Sequence, residues 1–290
     1  MPTRPQYTLK GGIVLLRSET TNMLKKYGIQ LDPALDEQQL VALDIIEGLI
    51  DSAEVDSDET TLEIGAGCGN ITIPLAAQSG KVIAVEKNPK FTPLLKGRTS
   101  KLANVNIIQD DILTSKIPYF TRLVSNLPYS LCEAIFTRLI HHDFKKASLI
   151  VSSSFADIIT AKPEDPKYSR LSMVSSLFFT VKKMQEIPPD SYYPEPGVKT
   201  SMITVEPIPA KGAPHEILRL IILWDRMKLK NALREALITS SKDRGPPVTK
   251  REAKNIINSM NLDPRILDTR VARLSLHDLL TVEKALNDHI

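Results

Sequence analysis

Between residues 60 and 153 the chain alternates short apolar, β-branched runs with helical stretches, and few folds satisfy that pattern. The runs are TLEIG at 61–65, KVIAVE at 81–86, VNIIQ at 105–109, TRLVSN at 121–126 and ASLIVSS at 147–153. Helical stretches lie between them, over 69–79, 90–99 and 130–142. Strands read as continuous apolar runs when helices cover both faces of a parallel sheet. The spacing therefore predicts a doubly wound α/β domain. A helical pattern at 36–53, DEQQLVALDIIEGLIDSA, leads into it.

After Tyr168 the pattern changes. SRLSMVSSLF reads as a helix. FTVKKMQEIP and VKTSMITVEPI read as two strands joined by PPDSYYPEPG at 188–197, an antiparallel addition at the sheet edge. PIPAKGAP at 207–214 is a linker by composition. Beyond it only helical patterns appear, broken by DRGPP at 243–247 and LDP at 262–264. The expected organisation is an α/β domain over 1–210 and a small all-helical domain over 211–290.

Composition narrows the class. The 290 residues are 42% hydrophobic and 24% charged, enough for a sizeable core. No apolar run reaches the ~18 residues of a membrane span, and the start of the chain does not read as a secretory signal. Two cysteines, Cys68 and Cys132, make neither a disulfide framework nor a zinc-ligand set, so no metal is expected and a reducing cytoplasm is. The net charge of +3 is uneven: +4 over residues 1–30, −6 over 31–210 and +5 over 211–290. Basic ends on an acidic body fit a catalytic centre held against a polyanion, although solvated helix faces give the same count.

The stretch LEIGAGCGN places Glu63, Gly65, Gly67 and Gly69 directly after the first strand. Glycines there let the chain turn sharply and let a ligand approach the backbone, and ligands of open α/β sheets bind at this crevice. A carboxylate at Glu63 repels a pyrophosphate but attracts an amino acid's ammonium. That favours S-adenosylmethionine (SAM) over a dinucleotide. Glu86 ends the second strand, where an acid accepts from both ribose hydroxyls. Asp111 follows the third, where it can accept from the adenine amino group of the cofactor.

The fourth strand ends in Asn126-Leu127-Pro128-Tyr129. The amino group of a purine is a poor nucleophile, because its lone pair is delocalised into the ring. If the Asn126 amide oxygen and the carbonyl of Leu127 or Pro128 accept its two N–H bonds, the nitrogen is drawn towards tetrahedral geometry. Asn126 thus counts with the cofactor crevice and with the catalytic set. Pro128 fixes the turn, and Tyr129 offers a ring on which an extruded base can stack. Tyr192 or Tyr193, stiffened by Pro194-Glu195-Pro196, can cover the base's other face. The bland alternative is a strand–turn–helix corner with Asn126 as a helix cap.

These blocks resemble the small-subunit ribosomal RNA adenine N6-dimethyltransferases, and look closer to the archaeal and eukaryotic branch. LEIGAGCGNIT fits that family's first motif and NLPYS its N-[IL]-P-Y-x motif. YSRLSMV fits Y-G-R-L-S-V. IPPDSYYPEPGVKTSM fits V-P-P-x-x-F-x-P-x-P-x-V-x-S, with Tyr192 at the phenylalanine position. WDRMKLKNAL and ARLSLHDLL fit two helical C-terminal segments. The resemblance implies a Rossmann-like SAM-dependent methyltransferase fold. It also implies dimethylation of two adjacent adenines near the 3′ end of small-subunit rRNA, in ribosome biogenesis. The implied partner is that rRNA or a pre-30S particle, engaged by a monomer whose helical domain grips RNA.

The chain departs from the family in places. The family's G-Q-[NH]-F-L-x-D segment, which helps close the cofactor site, is sought in YGIQLDPALDEQQ, where Gln30 is displaced. SSSFADIIT stands for Q-x-E-x-A-x-R, Gly197 for a lysine and Asp225 for a basic or polar residue. The rival expectation is therefore a divergent paralogue acting as a ribosome-assembly or nucleic-acid binding factor, with weak or altered methylation.

Overall fold

The computed structural model describes residues 12–32, 36–209, 212–242 and 246–290. The expected boundary at 210/211, part of the family-like segment at 33–35 and the Asp243-Arg244-Gly245 break lie outside them. The chain divides into two compact units that meet in sequence at 207/208.

In the first unit, helix α1 (Gly12–Lys26) is followed by a two-residue strand β1 (Gln39–Leu40) and helix α2 (Leu43–Ser52). Then come β2 (Thr60–Ile64), α3 (Thr72–Ala76), β3 (Lys81–Glu86), α4 (Phe91–Thr99), β4 (Val105–Gln109) and β5 (Arg122–Asn126). A 3-10 turn over Tyr129–Leu131 leads into α5 (Cys132–Leu139), β6 (Lys146–Ser152), α6 (Ser153–Thr160) and α7 (Arg170–Phe178). The unit closes with β7 (Phe179–Ile187), β8 (Tyr192–Tyr193) and β9 (Thr200–Pro207). Seven strands form one sheet in the order β4-β3-β2-β5-β6-β9-β7. The first five are parallel; β9 pairs antiparallel with β6 and with β7, which occupies the edge.

The sequence order reverses between β2 and β5, which lie side by side. Chains leave these two strands in opposite directions across the sheet, so a crevice opens at their carboxyl ends. Leu62, Leu123, Val124 and Ile150 of the central strands are fully enclosed. Val82, Val124, Ile150 and Met202 share a core with Ile46, Leu49 and Ile50 of α2.

The helical periodicity of 36–53 is realised only from Leu43 onward. Gln39 and Leu40 instead pair with Tyr193 and Tyr192, and the Val41 amide donates to the Ser191 carbonyl at 2.7 Å. Backbone groups committed to a distant strand cannot serve a helix, so tertiary pairing overrides the local pattern.

The second unit is built from α8 (Ala213–Leu223), α9 (Leu229–Ser241), α10 (Lys250–Ser259), α11 (Pro264–Asp268) and α12 (Leu276–His289). Thr249 and Ser275 open α10 and α12 as reciprocal capping boxes with Glu252 and Asp278.

Candidate active site

At the crevice lies a cavity of about 480 Å³, within the roughly 300–1,000 Å³ of small-molecule sites. Its floor is the loop after β2. Gly65 and Gly67 there have φ of +75° and +50°, a left-handed conformation that costs an L side chain strain. A Cβ on Gly65 would lie 3.3 Å from the Pro128 ring, and one on Gly67 only 2.4 Å from the Gln39 Oε1. The glycines thus let the loop after β5 and residue 39 close on the floor. Gly69 also has positive φ but does not line the cavity; a Cβ there would meet Leu95, so it serves loop-to-helix packing.

Two buried acids face this space. Glu63 accepts a hydrogen bond from the Thr72 hydroxyl at 2.5 Å, and burial pushes its carboxyl up to about 8, opposed by that bond and reinforced by Glu86. Glu86 accepts from the Gly67 amide at 2.8 Å and the Asn88 amide at 2.7 Å. Burial raises its pKa also, against those bonds. Asp111 sits at the rim, its carboxylate shared between Lys87 at 2.9 Å and the Leu113 amide at 2.9 Å. These partners hold it below the usual carboxylate range.

Across the crevice, Asn126 ends β5 and lines the cavity. Its Oδ1 is buried and accepts no hydrogen bond from the described residues. A buried, unpartnered amide oxygen at a cavity wall is an acceptor awaiting a donor. Leu127 is buried, and its amide donates to the Ile150 carbonyl at 3.0 Å. Its own carbonyl accepts nothing among the described residues. The Pro128 carbonyl, by contrast, accepts from the Leu131 amide at 2.9 Å. Of the two carbonyls the sequence leaves open, that of Leu127 is the one without a partner among the described residues, although Pro128 and not Leu127 lines the cavity.

The aromatic expectations are corrected. Tyr192 is 0% exposed and belongs to the core around Leu40, Val41 and Met202, with its hydroxyl 2.7 Å from Thr200. A ring enclosed on every side cannot form the wall of a base pocket. Its position beside the proline-rich turn is fixed by β8 pairing with β1. Tyr129 is half-buried and does not line the cavity; its enclosed hydroxyl lies beside that of Tyr192, and burial raises both, Tyr192 to about 12. Tyr193 remains partly open, beneath the Arg17 guanidinium at 5.9 Å from its centroid.

Residues 36–39, read from the sequence as helix, form part of the cavity wall. Gln39 accepts from the Cys68 amide at 2.9 Å, Glu37 from the Asn88 side chain at 2.6 Å and Asp36 from the Ser130 amide at 2.9 Å. Of the stretch in which the family's closing segment is sought, it is therefore residues 36–39 that border the cavity. Gln30 lies outside it. Arg98 carries no sequence signal of its role: it donates to the Cys68 carbonyl at 2.6 Å and to Asn70 at 2.7 Å, bracing the glycine loop from α4. Among the described residues no cluster of His, Cys, Asp or Glu is arranged to hold a metal.

The cavity fits an amino-acid-bearing nucleoside. A left-handed glycine floor leaves space for backbone approach, acids end two adjacent strands, and Asn126, whose amide oxygen is buried without a partner among the described residues, lines the same space. Sheet order and cavity together define a SAM-dependent methyltransferase. The chain belongs to the ribosomal RNA adenine dimethylase family, whose model matches residues 33–227. It is 34% identical over 266 residues to a Methanosphaera stadtmanae protein named "Probable ribosomal RNA small subunit methyltransferase A", covering 89% of this chain and 97% of the relative. A Thermococcus kodakarensis protein of the same name is 31% identical over 276 residues, 93% of this chain and 95% of its own. The fold is shared with a crystal structure of a dimethyladenosine transferase from Plasmodium falciparum, at TM-score 0.59 and 23% identity, over 85% of this chain and 96% of that one. The enzyme is thus a SAM-dependent rRNA adenine dimethyltransferase.

Proposed function

We propose that this enzyme dimethylates N6 of adenines in small-subunit ribosomal RNA, acting as a cytoplasmic monomer, and that Asn126 and Leu127 carry the substrate amino group. The single observation that supports this most is the buried, unpartnered Asn126 Oδ1 at the cavity wall. Two acceptors, that oxygen and the free Leu127 carbonyl, match the two N–H donors of an exocyclic amine. Accepting both draws the nitrogen lone pair out of the ring's conjugation. Catalysis is then positioning and hydrogen bonding, with no strong base required. SAM supplies an electrophilic methyl group when bound. Glu63 would pair with its ammonium, and Glu86, already receiving the Gly67 and Asn88 amides, would offer its remaining lone pairs to the ribose hydroxyls.

Neither Tyr129 nor Tyr192 lines the cavity. Tyr193, unlike Tyr192, is only partly buried.

Replacing Asn126 by Ala removes the acceptor while leaving the glycine floor and both acids. Turnover on immature small subunits is expected to fall at least about a hundredfold, the scale of losing a preorganised polar group at the reacting centre. SAM affinity should change little. Nucleoside mass spectrometry of the treated rRNA reads the first quantity and calorimetric titration the second. Wild-type turnover in the variant would end this mechanism. Incubation with labelled SAM and immature small subunits that puts no label in adenine would favour the assembly-factor reading.

A further inference from the structure

The Asn126–Tyr129 turn is secured at both ends, and the two anchors differ in origin. At its start the sheet holds it, through the Leu127 amide on the Ile150 carbonyl at 3.0 Å. At its far end the chain enters the 3-10 turn at Tyr129–Leu131, and the capping position there is Pro128. Proline has no side-chain acceptor, so the first amides of that turn lack a local cap. Asp36 supplies it from 94 residues away: its Oδ2 accepts the Ser130 amide at 2.9 Å.

Asp36 is suited to that task. Its φ of +57° places it in the left-handed region, which aspartate tolerates better than most residues. It lines the cavity next to Ser130 and Leu131. Its charge also reaches the Tyr129 hydroxyl and the Cys132 thiol, helping to raise both. A negative charge facing the start of a helical segment is stabilising there. Its neighbours do parallel work on other loops, Glu37 at Asn88 and Gln39 at Cys68. Of these three, Asp36 alone acts on the turn that carries Asn126 and Leu127.

We propose that Asp36 is a positioning residue for methyl transfer: through the Ser130 amide it fixes the turn that aims the Asn126 oxygen and the Leu127 carbonyl at the substrate amine. The inference rests on the substrate role proposed above for those two acceptors.

Two variants of the full-length chain isolate the effect. Asp36→Asn keeps an acceptor and tolerates positive φ, and should rescue. Asp36→Gly relieves the backbone and removes the acceptor, so strain does not confound the loss. Asp36→Gly should lower kcat about tenfold at saturating SAM and RNA, as expected for one hydrogen bond to a charged acceptor. Asp36 lines the cavity but is not among the groups proposed to hold the cofactor, so the Kd for SAM should stay within about twofold of both wild type and Asp36→Asn. SAM binding doubles as the control for folding. Equal kcat in the two variants, or a Kd that rises with the fall in kcat, would overturn the proposal. Asn126→Ala in the same assay separates the levels. If Asn126→Ala turns over normally, the substrate reading itself fails. If it is inactive while Asp36→Gly is unimpaired, only the role of Asp36 falls.

Discussion

Glu63 shows how one buried side chain links the site to pH. Its carboxyl ionises at about 8 in the folded chain against an ordinary 4.5. The folded state therefore holds a proton that the unfolded chain has released over that interval. Stability from this group is complete below the ordinary value and is lost as pH rises towards 8. Glu63→Gln, which cannot ionise, should flatten the fall in Tm between those pH values in protein free of SAM. The ammonium of SAM favours the carboxylate, so binding near pH 7 should release a proton, absent in Glu63→Gln. Calorimetric titration in buffers of different ionisation enthalpy measures it. At this scale the sequence is informative where chemistry sets position. Glu63, Gly65, Gly67, Glu86, Asp111 and Asn126 all line one cavity because each ends a parallel strand or follows it directly. Tyr192 is illegible: nothing in YYP tells which ring turns inward, since alternation along a two-residue strand depends on its partner.

At the scale of elements, β1 and β8 are the shortest strands and the least visible in the sequence. Two residues carry no periodicity, and the apolar spacing of LVALDII extends smoothly upstream as though helical. What fixes them is mutual: Gln39–Leu40 and Tyr192–Tyr193 exist as strands only as a pair. The long β-branched runs, whose identity is local, coincide with β2 to β6 within a residue or so. The enclosed Tyr192 hydroxyl, bonded to Thr200, gives a prediction belonging here. Tyr192→Phe should cost about 1 kcal/mol of stability, the usual net value of one such bond, and leave kcat unchanged. A base-stacking ring would show the reverse sensitivity to Tyr192→Ala, in substrate KM rather than in urea unfolding, which is the assay that decides it.

At the scale of the molecule, the basic C-terminal segment is legible as charge but not as surface. In the helical unit Lys228 and Lys230 are engaged by Asp268, and Arg265 by Asp263. Lys250, Arg251 and Lys254 on α10 are exposed and make no ion pair with the described residues. They are among the exposed cations of this unit that would meet phosphate if it grips RNA, as the family resemblance implies. Changing all three to Ala should weaken binding to structured rRNA about equally across sequences. The slope of log K against log salt should become shallower by roughly 0.7–0.9 for each phosphate no longer neutralised. An unchanged slope would place the RNA elsewhere.

The pairing of Gln39 with Tyr193 also sets an order of events during synthesis. One wall of the methyl-donor pocket is translated early, yet the strand that holds it emerges only after most of the catalytic unit has left the ribosome. A nascent chain stalled before residue 193 would own every glycine and acid of the site and still lack its enclosure. Donor affinity in such truncations should appear abruptly once β8 and the neighbouring β9 are released, rather than growing with length.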